Sequence, residues 1–189
     1  MHSSVVSFRT LHSALRIRSS FSFAVAILAL AGCQPSPASP PAAESSSNKV
    51  NLIVGDAKAL DKLIAGHKGQ VVFVDCWATW CGPCVEGFPH TVSLAKKYRD
   101  QGLATIAVSF DQLDDQTKVR DFLAKQGADF ENVLSKYDGV NQRAAVDFDV
   151  EALPQYRLYD RRGKLREKWE GKSDEIEPKI EELLAEKPS

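Results

Sequence analysis

Apolar and polar positions follow two different periods along the chain, and each period predicts a different element. Apolar, β-branched runs at residues 70–76, interrupted by Asp75, and at residues 103–110 are typical of buried strands. Between them, apolar residues recur every three or four positions over residues 83–99, which predicts a long helix with a kink at Pro89. Shorter stretches with the same periods predict strands at 51–54, 155–160 and 164–169, helices at 57–65, 117–126, 140–148 and 173–186, and an extended piece at 130–134.

The order of these elements defines the fold class. Strands and helices alternate through most of the chain, and strands that are separated by helices run parallel in one sheet. The last two strands are joined by Asp160-Arg161-Arg162-Gly163, which is typical of a hairpin and therefore adds antiparallel strands. The sequence predicts an α/β fold in which a central mixed β-sheet is flanked by helices on both faces.

Composition excludes several classes of protein. The chain has 189 residues, 43% of them hydrophobic, which suffices for one folded domain and a leader. A formal net charge of −1 gives no reason to expect nucleic acid or an anionic membrane surface as a partner. The four cysteines, Cys33, Cys76, Cys81 and Cys84, are too few and too clustered for a disulfide framework.

Residues 1–32 have the pattern of an export signal. Three arginines precede an apolar stretch at residues 21–31, which is too short and wrongly flanked for a stable membrane span. It leads into Leu30-Ala31-Gly32-Cys33, which resembles the bacterial lipobox, whose cysteine becomes the lipidated first residue of the mature protein. The alternative is ordinary signal cleavage after Ala31, and either way we expect the mature chain to work outside the cytoplasm.

The chain is therefore expected to have three parts. Residues 1–32 form a lipoprotein signal peptide, and Cys33 is the expected lipidation site. Residues 33–48 are rich in Pro, Ser and Ala, a composition that cannot order itself and is typical of a tether. Residues 49–187 form the folded domain. This arrangement predicts a membrane-anchored lipoprotein of the cell envelope that faces the periplasm or extracytoplasmic space.

Cys81 and Cys84 lie where a predicted strand runs into a predicted helix. Unpaired backbone N–H groups and the helix dipole at such an N-terminus stabilise a thiolate at Cys81. Gly82 allows a tight turn, and Pro83 lacks an N–H group that would have had no partner. The three-residue spacing places Cys84 one turn later on the same side of the helix. The pair can serve redox chemistry, bind a metal ion or have a purely structural role.

Residues 80–84, Trp-Cys-Gly-Pro-Cys, match the active-site motif of the thioredoxin superfamily in full. Residues 77–84, followed by Phe88-Pro89, resemble the membrane-tethered thiol-disulfide oxidoreductases of the TlpA/ResA-like kind. The resemblance implies a thioredoxin fold with a mid-fold α insertion, which residues 112–148 would supply.

The resemblance also implies a role for each residue of the site. Cys81 would be the attacking thiolate and Cys84 the resolving thiol of a redox disulfide. Asp75, buried below Cys84, would take the proton from that thiol, although a structural role in hydrogen bonds to backbone or water is the alternative. The peptide bond before Pro154 would be cis. The residues implied in substrate binding are Trp80, Gly82, Pro83, Leu153 and Pro154.

The sequence departs from the family pattern at two positions near this site. Gly87 stands where TlpA/ResA-like proteins usually carry Glu, so Asp75 would replace any tuning by that acid. Gln155 follows the expected cis-proline, where thioredoxins usually have Thr. The substrate groove is therefore expected to differ from that of a general thioredoxin.

A metal site built from the cysteines and His90 is disfavoured. Cys76 should point to the opposite face of its strand from Asp75 and behave as a buried, inert thiol. His90 lies more than one helical turn beyond Cys84. We therefore expect no metal or other cofactor.

Together these patterns predict a protein-disulfide reductase of the cell envelope. By resemblance, its substrates would be disulfide-containing envelope proteins such as apocytochrome c, and a membrane electron donor would re-reduce the site. The protein is expected to be monomeric. The alternatives are an envelope disulfide oxidase or isomerase, and a thioredoxin-like binding or copper-handling module.

Overall fold

The computed structural model describes residues 50–187. Its strands are β1 (Asn51–Gly55), β2 (Val71–Trp77), β3 (Leu103–Ser109), β4 (Glu131–Ser135), β5 (Gln155–Tyr159) and β6 (Leu165–Glu170). Its α-helices are α1 (Ala57–Gly66), α2 (Gly82–Tyr98), α3 (Gln116–Gln126), α4 (Gln142–Phe148) and α5 (Ile176–Ala185). Short 3-10 turns follow α2 at Arg99–Gln101 and precede α3 at Leu113–Asp115.

These strands form one mixed sheet in the order β1-β4-β3-β2-β5-β6. β1, β4, β3 and β2 are parallel, whereas β5 and β6 are antiparallel additions beside β2. The parallel part follows from the alternation of strands and helices. A tight turn, in which Gly163 donates its N–H to the Asp160 carbonyl over 2.8 Å, joins the antiparallel pair. The predicted mixed α/β sheet is confirmed.

The middle of the chain adds a strand to this sheet. Residues 112–148, expected as an α insertion, contain α3 and α4 and also β4, which pairs in parallel with both β1 and β3. The sequence indicates only a short extended piece there. The apolar pair Val133 and Leu134 is too short a run to distinguish a central strand from a loop.

Alternate side chains of β2 divide the core into two layers. Val74 and Cys76 point into the layer that contains residues of α1 and α4. Phe73 and Trp77 point into the opposite layer, where α2, α3 and α5 pack. β2 is buried along its whole length, and this two-sided burial explains its run of apolar residues, which only Asp75 interrupts. Asp75 lies on the same face of β2 as Phe73 and Trp77. It therefore enters the second layer, on the side of the helix that begins at the C-x-x-C motif.

The helix ends follow local signals in the sequence. Asp56 caps α1 by accepting the Ala59 N–H over 3.1 Å, as predicted. α5 begins at Ile176, within the predicted span of residues 173–186, and Pro178 lies in its first turn, where proline is tolerated. Pro89 lies inside α2, and the kink expected there stays a prediction.

The predicted signal peptide, the lipidation site at Cys33 and the tether all lie outside the described residues. Within residues 50–187, no helix combines the length and the apolar character needed to cross a membrane.

Candidate active site

The two cysteines of the C-x-x-C motif lie at the start of α2. Cys81 is the N-cap residue, and Pro83 lies in the first turn. The Cys84 N–H donates to Cys81 Sγ over 3.3 Å, and the Val85 N–H donates to the Cys81 carbonyl over 3.0 Å. The two sulfurs form a disulfide of 2.03 Å, with the Cα atoms 5.2 Å apart. Cys81 Sγ therefore sits at the positive end of a helix, where a thiolate is stabilised.

The disulfide is more accessible from the side of Cys81. Cys81 has 7% of its surface exposed and Cys84 has 2%. Gly82 and Pro83 are exposed, and Trp80 is 55% exposed. Cys81 is therefore the more exposed residue of the pair, which agrees with a role as the attacking cysteine.

The cis-proline expected beside the disulfide is present. The Leu153–Pro154 peptide bond, immediately before β5, is cis. Leu153 packs against the apolar cluster that contains both cysteines. Pro154 and Pro83 line the same groove. The fold thus brings the loop before β5 to the start of α2, although the two are far apart in sequence.

A buried arginine holds the segment that leads to the cis-proline. Arg157, 6% exposed, donates to the carbonyl oxygens of Phe148 and Asp149, the latter over 2.8 Å. Gln155 Nε2 donates to the Asp149 carbonyl over 3.3 Å. These bonds satisfy carbonyl groups that the end of α4 leaves without intrahelical partners. The sequence pattern does not predict this role, because an arginine in a strand is usually exposed.

Asp75 is buried on the face of β2 that α2 covers, with 2% of its surface exposed. Its Oδ2 accepts a hydrogen bond of 2.6 Å from Thr91 Oγ1, whereas Oδ1 has no hydrogen-bond partner among the described residues. Burial raises the pKa of Asp75 to about 7, and the bond from Thr91 opposes that rise. A carboxyl group that titrates near neutrality can both accept and release a thiol proton.

Tyr156 occupies the space beside Gly87. Tyr156 is the residue opposite Asp75 in the antiparallel pair of β2 and β5, so the two side chains share one face of the sheet. A Cβ atom on residue 87 would lie only 3.2 Å from Tyr156 Oη. A tyrosine from β5 therefore crowds the position where the resemblance leads one to expect Glu. Burial and the nearby Asp75 charge raise the pKa of Tyr156, so its hydroxyl keeps its proton.

Asp111 is a residue of the site that the sequence pattern does not reveal. It is fully buried just beyond β3, and both of its carboxylate oxygens accept the Thr79 N–H, over 3.1 and 3.0 Å. The hydroxyls of Thr79 and Ser109 donate to the same carboxylate, over 2.5 and 2.6 Å. Because Thr79 lies two residues before Cys81, these bonds hold the turn between β2 and α2. The available signal is the place of Asp111 directly after a buried parallel strand, where functional side chains gather.

Cys76 and His90 lie apart from the cysteine pair. Cys76 is a free thiol buried in the layer of α1 and α4, as predicted, and burial raises its pKa to about 12. His90 is exposed on α2. Among residues 50–187, no three or more His, Cys, Asp or Glu side chains are arranged to hold a metal ion.

Comparison with known proteins places this site in context. Residues 55–184 match the Redoxin family. The chain is 31% identical over 117 residues to thiol-disulfide oxidoreductase ResA of Bacillus anthracis, which is 62% of this chain and 64% of that protein. It is 29% identical over 120 residues to ResA of Bacillus subtilis strain 168, which is 63% of each. The chain therefore spans less than two thirds of the length of these relatives.

Solved structures share the fold. A candidate thiol:disulfide interchange protein DsbE from Chlorobium tepidum is 28% identical, with a TM-score of 0.56 over 65% of this chain and 85% of that chain. A thiol-disulfide isomerase from Corynebacterium glutamicum, 22% identical, has a TM-score of 0.56 over 67% of this chain and 86% of its own, and supports the fold alone. The thioredoxin fold implied by the sequence is confirmed.

Asp75 should make the stability of the oxidised protein depend on pH. Its folded pKa of about 7 lies above the ordinary aspartate value, so between about pH 4 and 7 the folded state holds a proton that the unfolded state has lost. The free energy of unfolding should therefore fall as pH rises through that window, by on the order of 4 kcal/mol, and level off above it. Urea unfolding of the wild type and Asp75→Asn measures this.

The Asp75→Asn profile should lack that fall, whereas Asp114→Asn, a change at an exposed acid, should keep it. Parallel profiles for the wild type and Asp75→Asn would contradict the raised pKa.

Asp111→Ala should loosen the turn before Cys81. The change leaves the Thr79 N–H and hydroxyl without their acceptor, which should lower the free energy of unfolding by about 2–4 kcal/mol. It should also change the rate at which the reduced Cys81 thiol reacts with iodoacetamide, because the helix N-terminus no longer has a fixed position. Denaturant unfolding and alkylation kinetics test both effects. Asp114→Ala is the matched control, and equal behaviour of the two variants would show that Asp111 does not hold the turn.

Proposed function

This chain belongs to the Redoxin family, whose match covers residues 55–184, and from that premise we propose that it is a thiol-disulfide oxidoreductase that acts through Cys81 and Cys84. One observation carries the proposal. The two cysteines form a disulfide at the N-terminus of α2, and the more exposed cysteine is the helix cap. Its similarity to ResA proteins supports the same activity.

The reaction proceeds through a mixed disulfide. The Cys81 thiolate attacks one sulfur of a substrate disulfide, whose S–S bond breaks as the other sulfur leaves as a thiolate. The deprotonated Cys84 then attacks Cys81 Sγ, which re-forms the Cys81–Cys84 disulfide and releases the second substrate thiolate. Two electrons have then passed from the enzyme to the substrate, and a donor must return them.

Asp75 accepts the proton of Cys84 before the resolving attack. Support comes from the burial of the carboxyl group, from its pKa of about 7 and from its bond to Thr91. Thr91 lies two turns after Cys84 on the same face of α2, so β2 presents Asp75 to the face of the helix that carries the resolving thiol. A carboxylate in this place takes the Cys84 proton and so supplies the thiolate that the resolving attack needs.

The substrate binds as an extended segment beside the disulfide. The backbone at Leu153 pairs with that segment, and Pro154 covers the sulfurs and discourages metal capture. Trp80, Gly82 and Pro83 form the opposite side of this surface, which is consistent with their exposure. The cis peptide bond and the packing of Leu153 on the cysteine cluster support this arrangement.

The N-terminal pattern and the TlpA/ResA-like motif support finer proposals. Export, with a lipid anchor at Cys33, would place a monomeric enzyme at the outer side of a membrane in the cell envelope. Disulfides of envelope proteins such as apocytochrome c would be its substrates. Because that compartment is oxidising, a membrane electron donor would keep the site reduced.

Cys84→Ser should trap the mixed disulfide, since the resolving thiol is gone while Cys81 still attacks. Incubation of the reduced variant with an oxidised apocytochrome c peptide that carries a C-x-x-C pair should give a covalent adduct at Cys81, seen by mass spectrometry and reversed by dithiothreitol. Cys81→Ser should give no adduct, and Cys76→Ser should behave as the wild type because its thiol is buried. An adduct that persists in Cys81→Ser would disprove the assigned order of attack.

The redox potential of the Cys81–Cys84 pair should distinguish a reductase from an oxidase. The Gly-Pro dipeptide between the cysteines is that of thioredoxin, whose potential is about −270 mV, whereas the oxidant DsbA lies near −120 mV. We expect a value closer to the first, measured by equilibration with glutathione or dithiothreitol buffers. A value near the second would reverse the proposed direction of electron flow.

A further inference from the structure

A groove of about 690 Å³ lies beside the active-site disulfide, between α2 and the start of α5. Pro83 and Pro154 line the end nearest the cysteines. Exposed residues such as Glu86 and His90 also line it, so solvent can enter.

The inner wall of this groove is formed by the neighbours of Asp75. Thr91 lines the groove and donates its hydroxyl to Asp75 Oδ2 over 2.6 Å. Tyr156 lines it too and is the cross-strand partner of Asp75. Asp75 Oδ1 has no hydrogen-bond partner among residues 50–187. A buried carboxyl group with one unsatisfied oxygen thus lies one side chain away from a solvent-filled groove.

We propose that this groove is the path by which Asp75 exchanges its proton with solvent, and that the Tyr156 hydroxyl is the positioning group at its inner end. The proposal rests on the proposed function, because the proton in question is the one that Cys84 gives up during resolution. Asp75 must lose the proton that it took in one cycle before it can accept the next one from Cys84, so its carboxylic acid first transfers that proton to a water molecule at the inner end of the groove. Tyr156 Oη accepts a hydrogen bond from this water and stabilises it as it takes the charge, which then passes to buffer. Tyr156 itself loses no proton.

Among the described residues, the β3 side of Asp75 offers no path for a proton to solvent. On the side of β3 its partner is Ala107, which is apolar and fully buried. The titratable and charged groups near Asp75 and along the groove are Cys76 of β2, Cys84, Glu86 and His90 of α2, Tyr156 of β5, Lys172 and Asp174 of the loop after β6, and Glu177 of α5. Most of these lie on the groove side, so a proton that leaves Asp75 in that direction meets acceptors and solvent.

Gly87 keeps the inner end of the groove open. A Cβ atom there would lie 3.2 Å from Tyr156 Oη, so any larger residue must push the tyrosine ring aside or occupy the space in which the water would bind. The ring itself is fixed by stacking on Phe73, with centroids 5.8 Å apart. Phenylalanine at position 156 would retain this stacking and remove only the hydroxyl.

The test is the rate of resolution of a mixed disulfide between Cys81 and a small thiol, preformed at acidic pH, where Asp75 and Cys84 both hold their protons, and followed by stopped-flow fluorescence after a jump to neutral pH. Tyr156→Phe should slow resolution about fivefold to tenfold, and added imidazole should restore much of the loss because a small base can enter the groove. Gly87→Ala should slow resolution in the same direction. Tyr159→Phe is the matched control, since Tyr159 lies on the same strand but packs in the layer of α1 and α4, and it should match the wild type.

Asp75→Asn separates failure of this proposal from failure of the proposed function. If Asp75→Asn slows resolution but Tyr156→Phe matches Tyr159→Phe, the groove is not the path, and the role of Asp75 stands. If Asp75→Asn resolves at the wild-type rate, the proton transfer assigned to Asp75 fails and this inference with it. Slow resolution in Tyr156→Phe that imidazole does not restore would indicate a packing defect and overturn the positioning role.

Discussion

The hydrogen bonds from Thr79 to Asp111 hold the turn that joins β2 to α2, and the place of Cys81 depends on this turn. Two backbone bonds reinforce it, from Phe110 N–H to the Trp77 carbonyl over 2.8 Å and from Cys81 N–H to the Ala78 carbonyl over 3.2 Å. A thiolate gains from a helix N-terminus only when its sulfur stays within the first turn. The chemistry of the cysteine pair therefore depends on the Asp111 carboxylate, whose hydrogen bonds go to Thr79 and Ser109 and not to the cysteines.

Asp75 and Asp111 are both buried, and the number of hydrogen-bond donors around each carboxyl group determines its role. Asp111 is surrounded by donors and serves to fix the backbone. Within residues 50–187, Asp75 receives a single donor, Thr91, and its other carboxylate oxygen has no hydrogen-bond partner. Burial without sufficient donors disfavours the charged form and moves titration toward neutrality. Equal burial thus yields a structural acid at the end of β3 and a group suited to proton transfer on β2.

Periodicity in the sequence was enough to predict the sheet, the long helix and the final hairpin, because each rests on a local pattern. It did not predict β4 as an interior strand of the sheet. The pairing of β4 with β1 and β3 is a long-range property, and two adjacent apolar residues do not indicate it. The C-x-x-C pair and the cis-proline followed from family motifs. Asp111 and Arg157 did not, because a polar residue beside a strand reveals its partners only after the chain has folded. The sequence shows Gly87 in place of the usual Glu, but it does not show that Tyr156 lies beside that position.

The close approach of Tyr156 to Gly87 ties two positions together that are distant in the chain. A side chain at residue 87 requires the Tyr156 hydroxyl to shift, and a smaller residue at position 156 would leave room that a larger residue 87 could fill. Substitutions at the two sites should therefore be non-additive and should change in pairs among homologous sequences. An acid introduced on α2 from a related enzyme would therefore fit more easily together with a smaller residue at position 156 of β5.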